Sequence, residues 1–348
     1  MLAAILYNKE DVRLEQLPTP RIGEGEALVK IEAALTCGTD VKVYRRGYHP
    51  RMIVLPSVFG HEFAGTIAEV GRGVIGFEEG MRVVAANSAP CGTCYYCRKQ
   101  EFAACDDLLF LNGTYAEYIK IPSRIVQKNL LPVPEHVSSP AAAMVEPVAC
   151  VLRGLEETGV ADGDTVAVIG LGPIGLLFVR LAKWRGARVV AFGRHKMRLQ
   201  TAERLGADAV YDVDALGDVT AKLRSLTDGR GADRVIECVG HPSAWDLALA
   251  CVRRAGTVVF FGGCPMGTTV ALNTQRMHYD QLTLKSPFHH TPRHVREALQ
   301  LISDGIINAS EFISHKAPLI DLPRVLADLT QPNGTLKVAI FPDGTHPV

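Results

Sequence analysis

The chain has 348 residues, 47% of them hydrophobic and 21% charged, with a mean hydropathy of +0.12. A prior of about 150 residues per domain predicts two domains, and this composition excludes a largely disordered chain. The 37 Lys and Arg balance 37 Asp and Glu, which removes the bulk electrostatic case for binding nucleic acid or an anionic membrane surface.

The opening residues, Met1 to Lys9, lack a basic leader, and their apolar run is too short for a signal peptide. No apolar stretch approaches the ~20 residues of a spanning helix. The expectation is a cytoplasmic protein with no membrane and no nucleic-acid partner. Residues 1–150 are rich in Gly, Pro and Val, with short strand patterns at 27–31, 66–70, 82–86 and 115–121. Repeated Pro and Gly between them predict a compact β-barrel with few helices.

Two motifs in this region offer metal ligands. Cys37-Gly38-Thr39-Asp40 supplies a thiolate, and Gly60-His61-Glu62 supplies an imidazole and a carboxylate. Glu146-Pro147 adds a second carboxylate. A mixed set with fewer than four firm ligands is what catalytic zinc uses, because substrate must take the open position. Between the motifs runs segment 44–51, with Tyr44, Arg45, Arg46, His49 and Arg51. Tyr44 and Arg46 are substrate candidates there, able to grip a phosphate, carboxylate or polyol.

Further on, Cys91, Cys94 and Cys97 stand two residues apart and Cys105 follows. Four thiolates close a tetrahedron and leave no open position, so this lobe is a structural site. Short C-x-x-C steps fit zinc better than an iron–sulfur cluster. The chain has nine cysteines, an odd count that argues against a disulfide framework. Cys150, Cys238, Cys251 and Cys264 read as small buried hydrophobes.

Residues 151–289 alternate strand and helix patterns. Strands are predicted at 165–170, 188–192, 209–211, 233–238, 256–262 and 283–288. Helices are predicted at 173–185, 196–205, 219–226 and 243–252, and a further one at 295–303 leads back toward the C-terminus. This rhythm predicts a doubly wound parallel sheet. Gly170-Leu171-Gly172-Pro173-Ile174-Gly175 lies where a buried strand turns into a helix, the context in which a Gly-rich turn binds a pyrophosphate. The second strand ends in Gly193-Arg194, followed by Arg198, where an NAD site usually offers an acidic residue to the ribose. Gly193 makes room for a 2′-phosphate and Arg194 can pair with it, so NADP is expected, with NAD as the alternative. Val239, after the fourth strand, completes the cofactor-binding set.

With these motifs in this order, the sequence resembles the zinc-dependent medium-chain dehydrogenase/reductase superfamily, the alcohol dehydrogenase-like proteins. The resemblance covers essentially the whole chain. It implies a GroES-like β-barrel catalytic domain (1–150 and 290–348) with an inserted Rossmann domain (151–289). It also implies a cleft between them and a homodimer or homotetramer. Glu146 stands where the alcohol dehydrogenase branch places a cysteine ligand, so the chain looks more like the sorbitol, polyol and threonine dehydrogenase branch. That likeness carries over Cys37, His61, Glu62 and Glu146 as ligands of a catalytic zinc, with the two glutamates able to exchange. It makes Asp40 a partner for the His61 ring and Thr39 the hydroxyl that passes the substrate proton onward. Lys42 stands where related enzymes place the final relay histidine. His289 and His290 stand where sorbitol dehydrogenase-like enzymes place substrate-binding residues. The expected activity is hydride transfer between NADP and a polyol, sugar or related secondary alcohol or ketone, with two zincs per chain. An L-threonine 3-dehydrogenase-like enzyme and a catalytically silent cofactor-binding structural protein are the alternatives.

Overall fold

The computed structural model describes residues 1–49, 51–331 and 334–344. Pro50, in the Arg-rich segment, lies outside them. The chain divides into two compact units, Met1–Ala149 with His290–Val348, and Cys150–His289.

The first unit is built on a seven-stranded sheet. Its hub is the strand Ala27–Leu35, which pairs antiparallel with Glu62–Val70, Tyr118–Ile121 and Lys337–Phe341. Arg82–Ala85, Leu130–Pro132 and Ile313–Pro318 extend the ladder. Val29, Ile31, Phe63, Ile67, Tyr115 and Ile340 meet in one buried cluster. Each such side chain contributes about 1.5–3 kcal/mol through burial.

The barrel differs in detail from the sequence expectation. The strand expected at 66–70 starts at Glu62, and the one expected at 115–121 is confined to Tyr118–Ile121. Leu2–Asn8 and Asp11–Gln16 form an unforeseen hairpin. The unit also carries the helix Gly38–Arg46, which buries Val43 and Tyr44 and ends at Gly47 in the left-handed conformation. The helix Leu322–Leu329 buries Leu322 and Leu326.

The second unit is a six-stranded sheet in which every pair is parallel. The order across it is Ala209–Asp212, Arg188–Gly193, Thr165–Ile169, Ala232–Glu237, Val252–Phe260, Thr283–Lys285. Helices cover both faces, so Val166, Ala167 and Val168 are wholly buried and the strand reads as a continuous apolar run. The last strand stops at Lys285 instead of residue 288, and the helix Thr274–Tyr279 was not anticipated. The order reverses between Thr165–Ile169 and Ala232–Glu237. That switch point is where such sheets bind ligands. Among the described residues, no helix is long and apolar enough to cross a membrane.

Candidate active site

Chain geometry brings the two N-terminal motifs together. Cys37 follows the hub strand and caps the helix Gly38–Arg46, its sulfur accepting the Thr39 N–H at 3.4 Å. Leu35 pairs with Glu62 on the neighbouring strand, which sets His61 and Glu62 beside Cys37. Gly60 makes this approach possible. Its φ is +88°, and a Cβ there would lie 2.4 Å from Thr114 Oγ1. Ligand atoms of Cys37, His61 and Glu62 all lie within 4.8 Å of one another. That spacing suits a single cation.

Asp40 organises this cluster. Its Oδ1 lies 3.1 Å from His61 Nδ1. Its Oδ2 accepts the Cys37 N–H at 3.0 Å and lies 2.6 Å from the Tyr115 hydroxyl. Burial pushes the Asp40 carboxyl up, but His61, Tyr115 and the Cys37 N–H outweigh it and hold it below the ordinary value. With Nδ1 committed to Asp40, Nε2 is the His61 nitrogen left for a metal. Burial opposes charge on the His61 ring, yet Asp40 and Cys37 prevail and raise its pKa.

Lys337 is the residue the sequence reading missed. Its Nζ lies 2.7 and 2.5 Å from the two Glu62 oxygens and donates to the Thr36 carbonyl at 3.1 Å. Both side chains are buried. Burial raises the Glu62 carboxyl to about 7, against Lys337, and nearby Glu146 adds to the rise. Burial likewise disfavours the Lys337 charge, but Glu62 and Cys37 more than restore it. A charged residue inside the apolar run Leu336 to Phe341 was a signal in principle. Its partner lies 275 residues away in sequence, so only the sheet pairing identifies it. Glu146 sits buried in the first turn of the helix Val145–Thr158.

The four-cysteine lobe is compact. Ligand atoms of Cys91, Cys94, Cys97 and Cys105 lie within 4.8 Å of one another. The Cys91–Cys97 and Cys94–Cys105 sulfur separations are 3.9 and 3.8 Å. Tetrahedral zinc–sulfur bonds of ~2.3 Å give edges of about 3.8 Å, so the residues fit that metal. Backbone N–H groups of Thr93 and Cys94 point at Cys91 and lower its thiol to about 6. Burial pushes Cys97 up to about 12. Of the remaining cysteines only Cys251 is buried as expected. Cys150, Cys238 and Cys264 are half-buried.

The expected substrate residues separate. Tyr44 packs in the barrel core, because it falls on the inward face of its helix, so it does not border a substrate space. Arg46 and Lys42 fall on the outward face and are exposed. Thr39 instead lines a cavity with Asp40, Val43, His49, Met52, Ile53, Phe59, His61 and Asn112. Burial, aided by His61 and Arg46, lowers the His49 pKa. His290 belongs to the first unit, where its Nε2 lies 3.0 Å from Asn87 Oδ1. His289 belongs to the second unit and stacks on Phe288 at 5.5 Å.

In the second unit the Gly-rich turn is shaped for a dinucleotide. Gly170 has φ +96°, and a Cβ there would meet Val239 at 2.6 Å. A Cβ at Gly175 would lie 1.8 Å from the Gly170 carbonyl oxygen, so that glycine lets helix and strand close. Nothing lies within 4 Å of a Cβ at Gly172. That open face at the start of the helix Pro173–Trp184 is where a pyrophosphate approaches backbone. Pro173 and Ile174 form the first helical turn, and Val239 is exposed at the switch point. The space expected at Gly193 is filled. A Cβ there would lie 2.6–2.8 Å from the Leu171 side chain. Arg194 is exposed, with its Nε 2.9 Å from Asp214. Arg198 is half-buried, and burial lowers its pKa.

Residues 23–135 match the family model of the alcohol dehydrogenase GroES-like domain, and 173–304 match that of zinc-binding dehydrogenases. A sorbitol dehydrogenase of Bacillus subtilis is 29% identical across 99% of this chain and 98% of its own. An L-threonine 3-dehydrogenase of Bacillus velezensis is 33% identical across 98% of this chain and 99% of its own. The structure of a putative zinc-binding dehydrogenase from Sinorhizobium meliloti 1021, bound to NADP, superposes with a TM-score of 0.90. It is 30% identical, with 98% and 99% of the two chains covered.

Proposed function

Because this chain belongs to the zinc-dependent alcohol dehydrogenase family, whose members are NAD(P)-dependent oxidoreductases acting on small-molecule alcohols, we propose that it interconverts a polyol, sugar or related secondary alcohol with its ketone, preferring NADP. The observation that carries this reading is the cluster of Cys37, His61 and Glu62, with His61 Nδ1 held on Asp40.

Cys37 and His61 Nε2 would hold a catalytic zinc together with Glu62 or Glu146. When bound, that metal supplies Lewis acidity to the substrate oxygen and the nicotinamide accepts the hydride. The protein does the rest. Asp40 fixes the His61 tautomer. Lys337 holds Glu62 by both oxygens, so Glu62 reaches a metal only by sharing its charge with the ammonium. The Thr39 hydroxyl, lining the cavity beside His61, would take up the substrate hydroxyl proton. A panel of sugars, polyols and amino alcohols with each cofactor, read by nicotinamide absorbance, tests the assignment. Turnover of none of the alcohols would sink it.

We assign a second, structural zinc to Cys91, Cys94, Cys97 and Cys105. Cys94→Ala is expected to lower the metal content from two zincs per chain to one and open segment 91–105 to proteolysis, because metal binding supplies the lobe's folding energy. Unchanged metal content would refute it.

NADP preference rests on Arg194 and on the lack of an acidic side chain at Gly193. Releasing Arg194 from Asp214 costs little, since both are exposed. One net contact of about 1.4 kcal/mol to a 2′-phosphate gives a tenfold preference. Arg194→Ala is therefore expected to lower kcat/KM with NADP about tenfold and change NAD little. Gly193→Asp alone should disturb both cofactors, because its Cβ displaces Leu171. Paired with Leu171→Ala it should favour NAD. Equal use of both cofactors by the unaltered enzyme would remove Arg194 from the site.

A further inference from the structure

Tyr115 is wholly buried, and its ring is held from several sides. Its backbone N–H donates to the Phe59 carbonyl at 3.1 Å, and its own carbonyl accepts the Ala4 N–H at 2.8 Å. The ring meets Phe59 edge-on, with centroids 5.0 Å apart. Gly60 lies against it too, since a Cβ there would come within 2.7 Å of the Tyr115 ring. The residue that leads into His61 thus packs on this ring, and glycine is what permits the approach. The hydroxyl at the end of the ring carries one proton and has two acceptors in reach. They are Asp40 Oδ2 at 2.6 Å and the Leu35 carbonyl at 3.2 Å. The carboxylate is both nearer and charged, so it takes the proton.

Asp40 has to serve His61 with one oxygen in one orientation. The terminal torsion of an aspartate is soft, and two hydrogen bonds to Oδ2 remove that freedom. One comes from the Cys37 N–H at 3.0 Å, the other from Tyr115. Oδ1 is then left for His61 Nδ1 at 3.1 Å. The two donors differ in origin. Cys37 belongs to the same turn as Asp40, whereas Tyr115 stands 75 residues away in sequence and is anchored by its own backbone bonds. It therefore ties Asp40 to a part of the barrel that does not move with the ligand turn. We propose that Tyr115 is a positioning residue for the catalytic metal. Its hydroxyl locks Asp40, Asp40 locks the His61 ring with Nε2 free, and the tightness of zinc binding at Cys37 and His61 depends on that one oxygen. This rests on the zinc reading of the Cys37, His61 and Glu62 cluster and deepens it. Phenylalanine at this position would fill the same space but leave Oδ2 with a single donor inside a buried site, where a missing partner is costly.

The test is zinc affinity in the full chain, measured by titrating the zinc-loaded protein with a chelator of known strength and counting zinc per chain. The variants are Tyr115→Phe, Asp40→Asn and the two combined. Losing a partner behind a metal ligand weakens metal binding by about ten- to a hundredfold. Tyr115 stands one step further out, so Tyr115→Phe is expected to weaken one of the two zincs about tenfold and to leave the zinc of the four-cysteine lobe as tightly held as before. Asp40→Asn should weaken the same zinc at least as much. In the combined variant the tyrosine change should add almost nothing, because its effect runs through the aspartate. A role in packing alone gives a different pattern, with both zincs loosened together or the two changes adding in full, and either result overturns the proposal. Zinc affinity of Tyr115→Phe within about twofold of the parent, measured on a folded chain, overturns it as well. If the parent holds zinc in the four-cysteine lobe alone, with the same metal content after Cys37→Ala, the zinc reading of the Cys37 cluster fails before Tyr115 comes into question.

Discussion

Replacing Cys37 by alanine is expected to lower kcat for alcohol oxidation by at least about a thousandfold and to remove one zinc per chain. The thiolate is the one soft ligand in the cluster with His61 and Glu62. Lewis-acid assistance worth several kcal/mol depends on it, and about 4 kcal/mol corresponds to three powers of ten. Alanine also removes the sulfur that caps the helix Gly38–Arg46, at a cost of about 0.5–2 kcal/mol in stability. Cys37→Ser separates the two effects. The serine hydroxyl can cap the helix as well as sulfur does, but it is a poor metal ligand at neutral pH. Serine should therefore restore the denaturation midpoint and leave turnover lost. Metal analysis with steady-state kinetics decides the matter. A Cys37→Ala chain short of one zinc that still turned over normally would overturn the mechanism.

Replacing Lys337 by methionine is expected to cost about 3–5 kcal/mol of stability. Met matches the length and much of the volume of Lys, so packing is nearly kept. What remains is the Glu62 carboxylate, fully buried and stripped of the ammonium that faces both its oxygens. Breaking a buried ion pair from one side is costly, whereas removing both charges is often close to neutral. The double variant Lys337→Met with Glu62→Gln should thus regain most of the loss, because neither charge is then left buried. Urea denaturation of the parent, both single variants and the double variant closes the cycle. A single-variant cost below about 1 kcal/mol would mean that water reaches Glu62 and the pair is not buried as described. Because Glu62 is also a candidate ligand, metal content measured alongside shows whether freeing it from Lys337 changes zinc retention.

Local chemistry made much of this protein legible from its residues alone. The alternation of apolar strands with helical periods announced the parallel sheet, because a strand covered on both faces must be apolar throughout. The Gly170 to Gly175 run carried its meaning in its neighbours, a buried strand before it and an apolar helix after it. The four cysteines of the lobe lie so close in sequence that their spacing nearly dictates their geometry. Cys37 and His61 were named from residue type, and a single strand pairing, Leu35 with Glu62, brings them together.

Other features depend on pairings that sequence spacing does not encode. Lys337 reaches Glu62 because the last strand pairs with the hub strand, Ala339 opposite Leu35, a closure made by residues some three hundred positions apart. Tyr44 looked like a substrate residue because it lies between two ligand motifs. Helical geometry turns it inward and Arg46 outward, and burial of the aromatic ring offers more free energy than burial of a guanidinium. Gly193 looked like an empty space, but packing placed the Leu171 side chain there. His49 and Asn112 are 63 positions apart in the numbering and are linked only through their shared hydrogen-bond partner Met52. Residue type and periodicity thus determined the elements and the chemistry on offer. Which donors face which acceptors was decided by the tertiary structure, because hydrogen bonds and buried charges are satisfied across space and the chain order places no constraint on their partners.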